Sequence, residues 1–198
     1  MVTIVDYGSG NLKSISNGFS RIGANPLVTS DLDEIANADF LVLPGVGSFG
    51  MAMDHIEPFK HLILEHINDN KPFFGVCLGL QVLLTKSEES PGVKGLDVFK
   101  GTVKKFSNER KIPHIGWNQL NVVKKDSFLD SVKNKPFYFV HSYHGVVEDD
   151  YIIAGTSNYG IDFTAALNRD NIFATQFHPE KSGIYGLKIL KEFVSLKY

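Results

Sequence analysis

Continuous apolar runs alternate with amphipathic segments along the first half of this chain, and few folds accommodate that alternation. Val2–Val5, residues 39–43 (DFLVL) and Phe73, Phe74 and Val76 lack the polar residue at every second place that a half-exposed strand carries, so they predict strands buried on both faces. Between them Leu12, Ile15, Phe19 and Ile22 recur at helical spacing, with Asn11 as the expected N-cap and Gly23 as the expected stop. Residues 27–29 predict another strand, and Ser30 and Asp31 open a short helix. After a glycine-rich loop over 44–50, helical material is interrupted near Pro58 and resumes with Leu62, Ile63 and Ile67 before Asn70. Such repeated units require an α/β architecture: a mostly parallel central sheet flanked by helices, right-handed connections, and functional loops at the carboxyl edge of the strands.

Beyond the polar loop over 87–95 the pattern changes. Strand-like segments follow at residues 98–106, 118–124, Pro136–His141, 152–157 and 164–167, with helical material only at 128–132. These predict a mixed or antiparallel sheet packed onto the first half, without a linker between the halves. Residues 172–177 form a last buried strand, and 186–198 a closing helix with Leu187, Leu190, Phe193 and Val194 inward.

At 198 residues and 43% hydrophobic content, the chain supports one substantial core, hence one domain over residues 1–198. A net charge of -2 with three arginines (Arg21, Arg110, Arg169) gives no basic footprint for nucleic acid. A single cysteine excludes an internal disulfide framework. No leader-like segment precedes the first strand, and no apolar run approaches the ~20 residues that span a bilayer. A soluble, cytoplasmic protein without membrane contact is the expectation.

That cysteine stands in KPFFGVCLGLQ (71–81), where a buried strand meets the predicted start of a helix with Leu80, Leu83 and Leu84 on its core face. Cys77 then sits on a sharp strand-to-helix turn, flanked by Gly75 and Gly79, which permit a tight path and leave room for a substrate. A helix start favours a thiolate. Taken alone, a lone cysteine is more often an inert core residue.

Gly45, Gly47 and Gly50 fit G-x-G-x-x-G, but the next strand ends in Cys77 rather than in the acidic residue of a dinucleotide site. A tight turn is one alternative. Another is that Val46 and Gly47 aim backbone N–H groups at an oxyanion above Cys77, with Leu78 N–H as a second donor. Of seven histidines, His55, His61 and His66 are expected to face solvent, and His114 is ambiguous. His141 and His144 have a spacing that could serve a metal, but no cysteines or paired carboxylates accompany them, so no metal is expected. His178 follows a buried strand, and in extended backbone Glu180 would point the same way, with Pro179 keeping His178 non-helical. A carboxylate on one imidazole nitrogen leaves the other as a base. Strand ends bearing Cys77 and His178 thus supply nucleophile, base and orienter; a surface His and Glu at a turn is the plainer reading.

PGVGSFG (44–50), GVCLGLQ (75–81) and FHPEKS (177–182) resemble, in that order, the three signatures of class I glutamine amidotransferases. Within that family YGSGN (7–11), GWN (116–118), HSY (141–143) and the PEKS ending are similar to the glutaminase subunits of imidazole glycerol phosphate synthases, over essentially the full length. The resemblance implies a flavodoxin-like class I glutaminase fold, no cofactor, and a Cys77, His178, Glu180 triad that hydrolyses glutamine through a glutamyl thioester. It also implies that Gly45, Gln81, Glu89, Ser142 and Tyr143 hold the glutamine, Glu89 by pairing with its α-ammonium and Gln81 by hydrogen bonds to its amino-acid end. The partner it implies is a (β/α)8-barrel cyclase of histidine biosynthesis that uses the ammonia, with Asn11, Trp117, Tyr138 and Lys181 facing it; Trp117 and Tyr138 are otherwise core aromatics. The PGVG glycines tolerate several backbone conformations, so gating of the oxyanion donor by the partner is a further expectation. Leu80, where methionine is common, His144, and His114-Ile115 before GWN depart from the pattern without touching the triad. The rivals are a glutaminase for another acceptor, such as anthranilate or pyridoxal phosphate synthase, and a nucleotide- or flavin-binding module on the same fold.

Overall fold

Both-face burial places the apolar runs at the centre of a large sheet. The computed structural model describes residues 1–107, 110–125 and 127–196. β1 (Val2–Val5), β2 (Pro26–Thr29), β3 (Phe40–Gly45) and β4 (Phe73–Cys77) alternate with α1 (Leu12–Arg21), α2 (Leu32–Ala36), and the pair α3 (Phe49–Ile56) and α4 (Lys60–Asn68), which a 3-10 turn over Glu57–Phe59 separates at Pro58. Caps follow the sequence. Asn11 accepts from Ser14 N–H at 3.2 Å, and Asp31 accepts from Asp33 and Glu34 N–H at 2.9 and 3.1 Å.

The short α5 (Leu78–Gln81) leads into β5 (Leu84–Ser87), β6 (Phe99–Lys105), β7 (His114–Gln119) and β8 (Asn121–Val122). β9 (Pro136–His141), β10 (Tyr143–Val147), β11 (Ile153–Asn158), β12 (Asp162–Arg169), β13 (Ile172–Thr175) and α6 (Gly183–Val194) complete the order. Among the described residues the main sheet has eight strands in the order β2-β1-β3-β4-β13-β12-β11-β8, parallel from β2 to β13 and antiparallel beyond. β10-β6-β5 and β7-β9 form smaller sheets. This is the expected α/β fold with additional mixed and antiparallel sheet. The strands of the second half divide, however: β13, β12, β11 and β8 extend the parallel sheet edge-on, and only the two smaller sheets lie outside it.

Alternation along the central strands separates two cores. Leu41, Leu43 and Phe73 join α3 and α4 on one face, and Val42, Phe74 and Val76 join α1 and α6 on the other. Phe193 of α6 is the hub of the second face, 5.2 Å from Phe74, 5.5 Å from Phe40, 6.0 Å from Phe173 and 6.3 Å from Phe19 between ring centroids. Full burial of each such side chain contributes roughly 1.5–3 kcal/mol.

Several expectations need correction. The helix after Cys77 stops at Gln81, and Leu84 begins a strand instead of continuing a helical face. A continuous LGLQVLL run suits either element by hydrophobicity; Leu83 and Leu84 are buried in both cases. Residues 118–124 do not make one strand: buried Leu120 separates β7, paired with β9, from β8, paired with β11. β10 lies where a site motif masked its β pattern, and 128–132 holds only a 3-10 turn over Asp130–Val132. β13 ends at Thr175. The last helix starts at Gly183, and its expected end at 197 and 198 lies outside the described residues.

Candidate active site

Cys77 ends β4 with φ 56° and ψ -102°, a conformation sparsely populated by residues with a side chain and worth about 1–3 kcal/mol of strain. Such strain fits a nucleophile elbow. The glycines beside it serve packing rather than substrate access: a Cβ at Gly79 would land on the Leu43 carbonyl, and one at Gly75 would lie 2.6 Å from Gly79 O. With only four residues in α5, the helix dipole at Cys77 is small.

Next to the elbow, His178 Nδ1 is 2.9 Å from Glu180 Oε1, with both side chains 3% exposed. The geometry differs from the expected extended HPE. His178 is extended, but Pro179–Lys181 forms a 3-10 turn, and it is this turn that brings Glu180 back onto the ring. Ser182 Oγ fixes the segment by donating to His178 O at 2.6 Å. The other ring nitrogen, Nε2, is buried without a hydrogen-bond partner among the described residues. Burial alone would push the ring's pKa down, but the neighbouring Cys77 sulfur and the Glu180 carboxylate prevail and raise it to about 10. Both neighbours thus favour the charged form of the ring, against the burial that opposes it.

A cleft of about 270 Å³ opens over Cys77, lined by Val46, Gly47, Leu78, Gln81, Glu89, Ser142 and Tyr143, together with Pro113, Val140 and His141. Apart from Gly45, the residues expected to serve the oxyanion and the substrate therefore surround the sulfur. Gly45 lies behind them, where a Cβ would collide with the Tyr7 hydroxyl and the Leu78 side chain. Gly47 has φ 105°, which favours glycine, and Ser9 Oγ donates to Val46 O at 2.6 Å, so the loop after β1 holds the loop after β3. Leu78, first in α5, has no intrahelical partner for its N–H.

Glu89 accepts from Phe49 N–H at 2.7 Å, and Ser90 Oγ accepts from Gly50 N–H at 2.9 Å. The first two amides of α3 are thereby occupied, and a carboxylate stands where a dinucleotide phosphate would bind, so the G-x-G-x-x-G match does not make a phosphate site. One Glu89 oxygen remains for a cation. Gln81 is 5% exposed, and its Nε2 donates to Tyr143 O at 3.0 Å and to Gln176 Oε1 at 3.1 Å. Both its donors are used within the protein, so only its carbonyl oxygen could meet a ligand.

The ambiguous His114 and His141, whose spacing to His144 had suggested a metal, form a directed chain. His141 Nδ1 lies 2.8 Å from Tyr143 O, which can only accept, so the proton is on Nδ1 and Nε2 accepts. His114 Nδ1 then donates to that Nε2 at 3.1 Å, and His114 Nε2 faces Asn118 Nδ2 at 3.3 Å. Phe106 packs on His141 and His144 at 5.2 and 4.7 Å, so these rings sit among aromatics. Burial lowers His141 to about 3 and His114 to about 4, and shifts His144 and His66 the same way. His66 was expected in solvent; it is 3% exposed and bonds Pro72 O at 2.9 Å. His55 and His61 are exposed as expected. Among the described residues no cluster of His, Cys, Asp or Glu is arranged to hold a metal.

These neutral histidines predict acid sensitivity. The unfolded chain binds their protons near pH 6.5 and the folded chain does not, so their contribution is complete above 6.5 and is lost as pH falls toward their folded values. His114 and His141 share a hydrogen bond, and as a pair they should forfeit on the order of 2 kcal/mol between pH 6.5 and 5, at about 1.4 kcal/mol per proton per pH unit. Urea midpoints at pH 7 and 5 check this; equal midpoints would contradict it.

On the outer face of β7 and β9, Trp117 (57% exposed) meets Tyr138 edge-on at 6.2 Å, and Lys181 Nζ lies 5.8 Å from the Tyr138 ring centre. Trp117 is therefore no core aromatic. Ile115, 60% exposed on the same face, extends the patch; its place two residues before Trp117 in a strand was the available signal. Asn11 is exposed and caps α1.

A family model of the class I glutamine amidotransferases matches residues 3–196. The chain belongs to that family. Among the amidotransferase's relatives, the imidazole glycerol phosphate synthase subunit HisH of Methanothermobacter thermautotrophicus is 53% identical, covering 99% of this chain and 98% of the relative. The HisH subunit of Pyrococcus furiosus is 48% identical, covering 97% of each. Solved structures share the fold: PurLQS from Thermotoga maritima at TM-score 0.75 and 18% identity, covering 98% of this chain and 97% of that one, and the glutaminase domain of Trypanosoma brucei CTPS with bound acivicin at TM-score 0.68 and 17% identity, covering 100% and 94%. Among the described residues no helix is long and apolar enough to cross a membrane.

Proposed function

We propose that residues 1–198 form one glutaminase domain that hydrolyses glutamine to glutamate and ammonia and hands the ammonia to a cyclase subunit. The observation that carries this reading is the buried His178–Glu180 pair at 2.9 Å, coupled to a cysteine on a strained elbow at the base of a cleft sized for a small metabolite. Cys77 sulfur, its proton on His178, attacks the carboxamide carbon. The C–S bond forms as the carbonyl π electrons move to oxygen, where backbone N–H groups of Val46, Gly47 and Leu78 would stabilise the charge. His178 returns its proton to the departing nitrogen, and ammonia leaves. Water, deprotonated by His178, then attacks the glutamyl thioester; thiolate is expelled and glutamate released. Glu180 holds the ring and its charge throughout. Glu89 would take the substrate α-ammonium, Ser142 and Tyr143 would shape the amino-acid end, and Gln81 would offer only its carbonyl oxygen there.

Ammonia protonates in water, so release has value only beside an acceptor. The HisH names of the relatives support a (β/α)8-barrel cyclase of imidazole glycerol phosphate synthase as that acceptor, docked on Trp117, Tyr138 and Lys181 with Asn11 nearby. No cofactor is needed for these steps. Purified with the cyclase, wild type should release glutamate faster when the cyclase holds its nucleotide ligand, and Lys181→Ala, which removes the cation from the Tyr138 ring, should weaken the complex about tenfold. Equal glutamate release with and without liganded cyclase would overturn the gated reading, and unchanged binding would remove Lys181 from the interface.

A further inference from the structure

Besides His178, the Cys77 sulfur has two polar neighbours among the described residues: the Val140 carbonyl, to which the thiol donates at 4.0 Å, and the Gln176 amide, which donates to the sulfur. Gln176, two residues before His178, is fully buried, and its Nε2 donates to Cys77 Sγ at 3.7 Å. Which end of this amide faces the sulfur follows from the neighbouring bonds. The Tyr143 carbonyl can only accept, so the Gln81 atom 3.0 Å from it is Nε2. The second hydrogen of that nitrogen goes to Gln176 Oε1 at 3.1 Å, which leaves the Gln176 N–H group for the sulfur. The backbone is fixed as well, since Gln176 N–H donates to Ala165 O at 2.8 Å. A buried amide present only to satisfy Gln81 would turn its own donor to an oxygen. Here the donor meets sulfur, a weak acceptor as a thiol and a much stronger one as an anion.

We propose that Gln176 is a catalytic residue whose carboxamide N–H holds Cys77 Sγ and stabilises its anionic form. This rests on Cys77 being the nucleophile. The donor is itself fully buried, and it acts twice: on the thiolate before attack, and on the thiolate expelled when water opens the thioester. It also joins the sulfur, through Gln81, to the Tyr143 carbonyl at the cleft wall.

Because Cys77 is the only cysteine, iodoacetamide reports on it alone. Gln176→Met keeps the volume and removes both the donor to the sulfur and the acceptor of Gln81 Nε2. Alkylation at pH 7 should slow about tenfold, and kcat for glutamine should fall about tenfold, equivalent to about 1.4 kcal/mol, with KM changed less than kcat, because Gln176 reaches the cleft only through Gln81. A folded Gln176→Met protein with wild-type alkylation and kcat would overturn the proposal and leave the nucleophile reading standing. Cys77→Ala is assayed alongside; wild-type turnover there would instead remove the nucleophile reading, and this proposal with it. If Gln176→Met does not fold, the wild-type Gln176 side-chain amide resonance decides: it should shift with thiolate absorbance on titration, and a resonance indifferent to that titration would overturn the proposal.

Discussion

Cys77→Ala lowers glutamate release by roughly 10^4-fold or more, the scale seen when a covalent nucleophile is removed from a hydrolase. The variant isolates chemistry from folding. Alanine retains the Cβ, so the positive φ of 56° is no more strained than in wild type. The structural loss is one weak acceptor for Gln176 and one weak donor to the Val140 carbonyl, together about 1 kcal/mol. The oxyanion donors, the cleft and the face carrying Trp117 and Tyr138 remain, so cyclase binding should stay within about threefold of wild type. Residual hydrolysis within tenfold of wild type would mean that water, and not sulfur, attacks the amide.

The second large effect is on folding. Gly79→Ala places a methyl group on the Leu43 carbonyl. Leu43 cannot retreat: it pairs with Gly75 in the parallel register of β3 and β4, and both strands are enclosed in the main sheet. The α5 turn must move instead, taking Leu78 N–H with it. Overpacking of this kind costs about 3 kcal/mol or more, which for a chain of this size lowers Tm by roughly 6–12 °C. Loss of glutaminase activity should accompany it even below the melting range. Thermal unfolding followed by circular dichroism checks the prediction, and a Tm within 2 °C of wild type would show, on the same ~2–4 °C per kcal/mol scale, that the turn has slack that the close approach denies.

The parallel half of the fold was legible because its strands are buried on both faces, so that hydrophobicity alone marks FLVL and FFGV. The boundary after Gln81 was not, because LGLQVLL is apolar throughout and contains no residue that distinguishes one turn of helix followed by a strand from a longer helix. His66 was legible and was passed over: it falls four residues after Leu62 and three after Ile63, on the buried face of α4. The site shows the same division. Cys77 declares itself by residue type at a strand end, and His178 and Glu180 by residue type just beyond one, whereas the 3-10 turn that joins His178 to Glu180 depends on Ser182 and Tyr138, whose N–H donates to Ser182 Oγ at 3.0 Å from β9. Pro113, Val140 and His141 reach the cleft through the β7–β9 pairing, a contact between distant segments that local pattern cannot supply. Gln176 had a signal, a lone amide inside an apolar run, but its partner is set by the third dimension.

The account rests on a covalent glutamyl group at Cys77. Acid-quenching the protein during turnover with glutamine, in complex with liganded cyclase, and weighing the intact chain and its peptides tests this most directly. The expected result is a mass increase of one glutamyl group on the peptide containing Cys77, absent in Cys77→Ala and abolished by hydroxylamine. Glutamate accumulating at the wild-type rate with no adduct at any quench time, under conditions where hydrolysis of a thioester is rate-limiting, would contradict it.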